Sequence, residues 1–183
     1  MSSRKHRQID RMTAEAEMTR GLKIPDESAW YGYEEDLDVR YLHGLFYGKS
    51  IEEVQSYFGE GRSIERMGEL LFAPRAVFQY YVRAFAHFVM SEAAAGDSDS
   101  ASPFLSLLEE REKKDPGSVR IIFPALKEAL AFVAKNQAYF EASIDIYGNF
   151  NERVDKLYAT VQRLTLQSRA PAKARLSCKT FES

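Results

Sequence analysis

Three side chains that could bind an anion or move a proton recur at a helical spacing within a long apolar run. Arg75, Arg83 and His87 are eight and four residues apart, so a helix would bring them onto one slowly drifting stripe. Two guanidinium groups and an imidazole on one stripe could hold a phosphate or a carboxylate, or act as an acid–base pair. The commoner alternative is that such residues bond to a neighbouring helix. In that case Arg75 and Arg83 would pair with carboxylates such as Glu69 or Glu92.

Two short motifs resemble ligand-binding loops, but each lacks required residues. Residues 44–50 end in Gly-Lys-Ser, yet only three residues separate the two glycines where a phosphate-binding loop has four, and His43 stands at the place of its first glycine. A calcium loop starting at Asp97 would need glycine and a carboxylate where the chain has Ser102 and Leu108. The three histidines have no metal-ligand spacing. We therefore predict no catalytic residue, no cofactor and no metal.

Composition limits the class of protein further. The 183 residues, 45% of them hydrophobic, suit one compact domain, and a net charge of −2 argues against a general nucleic-acid binder. The single cysteine, Cys178, cannot form a disulfide within the chain, which agrees with a reducing compartment. The first residues contain no apolar signal core, and polar side chains interrupt the longest apolar stretch, residues 76–90. We expect a cytoplasmic protein that binds neither nucleic acid nor a membrane.

The spacing of apolar residues predicts an all-α protein, a single-domain irregular bundle of about six to seven helices around a central helix near residues 74–95. Ser50 and Glu53 have the spacing of a capping box that starts a short helix over residues 51–58. Ser63 is the predicted N-cap of the next helix. The expected apolar face of that helix consists of Ile64, Met67 and Leu71.

Later in the chain, the apolar pattern predicts a long helix from Pro124 to about residue 144 and a last helix over residues 154–164. The stretch 30–47 is rich in aromatic residues and glycine but shows no sustained helical period. We interpret it as a loop with a short extended piece near residues 39–42.

The apolar pattern divides the chain into three parts. Residues 1–25 are predicted to form a weak amphipathic helix and a linker, and residues 26–167 the helical core domain. Residues 168–183 lack the apolar content to hold themselves against a core, so we expect a disordered basic tail.

The segment that we favour for function mixes aromatic rings with carboxylates and contains no basic residue between positions 26 and 38. Aromatic residues often dominate the energy of protein interfaces, and a negative rim accelerates encounter with a basic partner. The alternative is that the rings clamp the segment onto the helices while the acids are solvated. The candidate residues are Trp30, Tyr31, Tyr33, Glu34, Glu35, Asp36 and Asp38.

Three hypotheses follow. The first is a non-enzymatic immunity protein or inhibitor that neutralises a basic, nuclease-like bacterial toxin through this segment, so that reversing the charges of its acids weakens binding. The second is a small-ligand-binding protein or enzyme with an inter-helix pocket at Arg75, Arg83 and His87, whose distinguishing sign would be a solvent-connected cavity at His87. The third is an adaptor or chaperone that forms a homodimer, which the mass in solution would test.

Overall fold

The computed structural model describes residues 22–169, with side chains described through residue 164. The regular elements in this range are all helical, which confirms the predicted all-α class. None of these helices has the length and apolar content that a transmembrane helix requires. The expectations for residues 1–21 and 170–183, which include most of the predicted N-terminal helix and basic tail, lie outside the described residues.

Within this range, six helices of ten residues or more and two single-turn helices form the bundle. In chain order they are α1 (Leu37–Phe46), α2 (Ile51–Val54), α3 (Ser63–Phe72), α4 (Arg75–Val89), α5 (Ser98–Lys114), α6 (Ser118–Lys135), α7 (Ile144–Tyr147) and α8 (Phe150–Arg169). Short 3₁₀ turns precede or join them at Glu27–Trp30, Tyr33–Glu35, Gln55–Phe58, Glu92–Ala94 and Gln137–Phe140.

Helix α4 lies at the centre of the bundle, as its apolar sequence predicts. Almost all of its side chains beyond the first turn are buried, and it packs against α2, α3, α5 and α6. It ends at Val89 rather than near residue 95, and the 3₁₀ turn Glu92–Ala94 follows. Gly96, in the left-handed conformation with φ of 71°, follows this turn and donates its N–H to the carbonyl of Tyr139. The central helix is therefore shorter than predicted.

The interpretation of residues 30–47 as a loop with an extended piece at 39–42 is wrong, because α1 occupies residues 37–46. The Asp36 carboxylate accepts the backbone N–H groups of Asp38 and Val39 and so caps the helix. The buried side chains of α1 are Val39, Leu42 and Phe46, at steps of three and four residues. Exposed aromatic residues between and beside these positions obscured the helical period in the sequence.

Helix α3 also differs from the expectation. Its N-cap is Arg62, and Ser63 lies inside the helix, where its hydroxyl donates to the carbonyl of Phe58 at 2.6 Å. Ile64, which was expected on the apolar face, is 52% exposed. The buried face of α3 instead includes two charged side chains, which lie below the candidate site.

Helix α6 begins at Ser118, before Pro124, and ends at Lys135, so the predicted single helix from Pro124 to residue 144 is wrong. The start of α6 is capped by a side chain of the preceding helix, α5. The buried Glu112 carboxylate accepts the backbone N–H groups of Gly117, Val119 and Arg120. A carboxylate at this end satisfies amides that have no intrahelical partner and complements the helix dipole.

Candidate functional site

The aromatic residues of the segment divide between a buried clamp and an exposed surface. Trp30 is fully buried, and its ring meets that of His43 edge-on with centroids 5.0 Å apart. Tyr33 stacks on the His43 ring, with the two centroids 3.9 Å apart. These two rings fix the segment to α1, so they provide the clamp that the sequence offered as an alternative.

Three large apolar side chains of the same stretch point into solvent. Tyr31 is 71% exposed, Leu37 is 73% exposed and Tyr41 is 56% exposed. Leu37 and Tyr41 are one helical turn apart on α1 and therefore lie side by side. Exposed apolar side chains that adjoin one another, unlike scattered ones, indicate an interaction surface.

Carboxylates lie beside these side chains in the sequence. Glu34, Glu35 and Asp38 are exposed, whereas Asp36 is occupied as the cap of α1. The only basic residue between positions 26 and 41 is Arg40. We name this surface the acidic face. It consists of Tyr31, Glu34, Glu35, Leu37, Asp38 and Tyr41.

A buried charged pair supports the acidic face from below. The Arg66 guanidinium lies 5.3 Å from the centroid of the Tyr41 ring, and its Nη1 is 2.8 Å from Oε2 of Glu69. Arg66 and Glu69 are only 2% and 7% exposed, and the two contacting atoms make no well-aligned hydrogen bond. The pKa of Glu69 is raised to about 7, mainly by burial, while Arg66 opposes the shift and Asp38 and Glu65 add to it.

A cleft of about 420 Å³ adjoins the acidic face. Its wall includes the start of α4 and the end of α5. Arg75 and Arg111 both bind the carboxylate of Asp115, through Arg75 Nε at 2.8 Å and Arg111 Nη2 at 3.3 Å. The Arg75 contact is the largest of the effects that hold the pKa of Asp115 below its usual range. The aromatic and charged side chains that line the cleft are Tyr31, Asp36, Phe72, Arg75, Arg111, Lys114 and Asp115.

The predicted stripe of Arg75, Arg83 and His87 does not form one site. Arg75 lines the cleft, but Arg83 and His87 do not. Arg83 is half-buried and donates from Nε to the carbonyl of Gln79, while His87 is 3% exposed within the core. The carboxylate partner of Arg75 is Asp115 rather than Glu69 or Glu92.

Comparison of the chain with protein-family models, curated proteins and solved structures gave no match. The arguments for function therefore rest on the geometry. Among the described residues, no group of three or more His, Cys, Asp or Glu side chains is placed to hold a metal ion.

Sequence reasoning missed four residues that matter for these surfaces, namely Leu37, Tyr41, Arg111 and Lys114. The exposure of Leu37 and Tyr41 could have been predicted from the buried residues of α1, because a helix that buries Val39 and Leu42 on one face exposes the opposite face. The two cations on α5 belong to a charged run at the end of that helix. Only the tertiary contact between α5 and the start of α4 brings Arg111 close to Arg75.

Proposed function

We propose that this protein is a non-catalytic binding module that recognises a basic surface of a partner protein through its acidic face. What supports the proposal is the exposure of Tyr31, Leu37 and Tyr41 beside three exposed carboxylates. Exposed rings and a leucine can serve as anchors that a partner buries, and the carboxylates around them speed encounter with positive charge.

The rigidity of the face also favours this function. Tyr41 rests on the Arg66 guanidinium, and Leu37 lies in the first turn of a capped helix. Anchors that are already ordered lose little conformational entropy on binding. The finer form of the proposal is that the protein acts as an immunity protein or inhibitor, which covers the active surface of a basic, nuclease-like bacterial toxin. A cytoplasmic location stays a prediction from the lone cysteine.

The test is affinity capture with the tagged 183-residue chain from a lysate of its own cells. The charge-reversal variant carries Glu34→Lys, Glu35→Lys and Asp38→Lys, and leaves Asp36 in place because that carboxylate caps α1. A matched control reverses three exposed acids elsewhere, with the substitutions Glu60→Lys, Glu110→Lys and Asp155→Lys.

A second pair of variants tests the apolar anchors. One carries Tyr31→Ser, Leu37→Ser and Tyr41→Ser, and its control changes three exposed isoleucines outside the face, Ile121, Ile144 and Ile146, to serine. The proposal expects one basic protein that is retained by the wild type and both controls and is lost from both face variants. Equal retention by all five proteins, an acidic partner, or no retained protein would overturn it.

A further inference from the structure

The cleft beside the acidic face has a different chemical character from that face. Three cations line it, those of Arg75, Arg111 and Lys114, against the two carboxylates of Asp36 and Asp115. Both carboxylates already have partners, since Asp36 caps α1 and Asp115 binds the two arginines. The cleft therefore retains positive charge that could meet an anion.

The donors of these cations are not used up within the described residues. Arg75 bonds to Asp115 and to the Pro116 carbonyl through Nε and Nη2 only, which leaves Nη1 available. Lys114 holds its Nζ 4.1 Å from the centroid of the Phe72 ring. That contact places the ammonium group on the cleft wall and still allows it to donate to a ligand.

Arg111 adds fixed positive charge to the cleft wall. It is 4% exposed although it lines the cleft, and its Nε is buried without a hydrogen-bond partner. Its Nη1 donates to the carbonyls of Leu71 and Ala73 at 2.7 and 2.8 Å, so the guanidinium is rigidly held. Arg111 and Arg75 share the single carboxylate of Asp115, so one negative charge faces two guanidinium groups, and a bound anion would offset the excess positive charge.

The start of α4 lies in the same wall. Pro74, its N-cap residue, makes no side-chain hydrogen bond to the first amides of the helix. The amino end of a helix carries partial positive charge and exposed N–H donors, and these favour phosphate groups. Arg75 Nη1, which has no hydrogen-bond partner within the described residues, could donate to a phosphate oxygen as well.

We propose that this cleft binds a small phosphorylated molecule, with the phosphate held by Arg75, Arg111, Lys114 and the start of α4. The exposed rings of Tyr31 and Phe72 line the same cleft and would stack on a flat part of the ligand. The volume of about 420 Å³ lies in the range of small-molecule sites. This site is separate from the proposed recognition of a basic protein, and only Tyr31 belongs to both surfaces.

The experiment is an NMR titration of the full chain at constant ionic strength with three probes, namely inorganic phosphate, AMP and adenosine. We expect phosphate and AMP to cause saturable shifts in the amides of Ala73, Arg75 and residues 111–115. AMP should bind more tightly than phosphate because its base can contact the rings, and adenosine should bind more weakly than AMP because it lacks the charge.

Two variants locate the site. Lys114→Gln removes a cation that has no carboxylate partner among the described residues, and it should weaken AMP binding roughly tenfold. Arg75→Gln should weaken it at least as much, with thermal melting to confirm that the fold persists. The control is Lys127→Gln at an exposed position on α6, which should leave binding unchanged. Absence of saturable binding by phosphate and AMP, or equal binding by Lys114→Gln and Lys127→Gln, would overturn the proposal.

Discussion

The guanidinium of Arg153 on α8 and the carboxylate of Glu109 on α5 face each other through two parallel hydrogen bonds. Nε to Oε1 and Nη2 to Oε2 are both 3.0 Å. The same guanidinium donates to the hydroxyls of Ser102 and Ser106, also at 3.0 Å, and to the carbonyl of Tyr147 at 3.3 Å. A single side chain on α8 thus joins two other helices, α5 and α7.

Replacing this arginine should weaken the fold. We expect Arg153→Met to lower the free energy of unfolding by roughly 1–3 kcal/mol, a range reduced for the partial exposure of both partners. Urea unfolding followed by circular dichroism measures the change. The double variant with Glu109→Gln should recover part of the loss, because it removes the carboxylate left without its partner. Lys156→Met, at an exposed position on α8, is the control. A loss no larger than that of the control would contradict the prediction.

The Glu112 carboxylate, which belongs to α5 and caps the start of α6, offers a second test. Glu112→Ala would leave the N–H groups of Gly117 and Val119 without their acceptor in a buried place. We expect a loss of about 1–3 kcal/mol in the free energy of unfolding. The matched control is Glu110→Ala, whose carboxylate makes an exposed contact with Lys113 at 2.7 Å and should contribute at most about 1 kcal/mol. Similar effects of the two substitutions would rule out the capping role.

This cap also shows what the sequence could predict. The capping box of Ser50 and Glu53 is present as predicted, because both partners belong to one local motif. The buried apolar pattern of α4 likewise identified the central helix. By contrast, Glu112 caps α6 from the end of the preceding helix, and no local spacing rule includes such a partner.

The candidate site was less predictable for the same physical reason. The sequence identified the acidic segment, but it could not separate buried Trp30 from exposed Tyr31, since adjacent residues have the same local composition. Periodicity also placed Arg66 and Glu69 outside the apolar face of α3. Their burial depends on the packing of α3 against α1 and α5, which only the tertiary structure shows.

The difference between these adjacent aromatic residues is testable. Trp30→Ala should lower the free energy of unfolding by roughly 3–5 kcal/mol, because it removes a fully buried indole and leaves a cavity. Tyr31→Ser should change stability by at most about 0.5 kcal/mol, because the side chain is 71% exposed. Thermal and urea unfolding of both variants provide the comparison. A large loss with Tyr31→Ser would mean that this ring serves the fold rather than a partner.

The buried pair below the acidic face predicts how stability depends on pH. Burial raises the pKa of Glu69 from 4.5 to about 7, so between these values the folded protein binds more protons than the unfolded chain. The contribution of this group to the free energy of unfolding therefore falls as pH rises through that window, by roughly 3 kcal/mol in total.

The substitution Glu69→Gln removes the titrating group, so the difference in stability between wild type and variant should shift against the wild type as pH rises from about 4.5 to about 7. Urea unfolding of both proteins at several pH values across this window measures the difference. Glu65→Gln, an exposed neighbour that contacts Arg66 at 3.3 Å, removes only the smallest of the effects that raise the pKa of Glu69, so this variant should keep the fall in stability and move it slightly to lower pH. A difference that shifts in favour of the wild type with rising pH would mean that attraction to Arg66 outweighs desolvation and lowers the pKa of Glu69. In that case the pair beneath Tyr41 would stabilise the fold at neutral pH. If the difference instead shifts against the wild type, the buried Glu69 destabilises the fold at neutral pH, although its partner Arg66 contacts the Tyr41 ring.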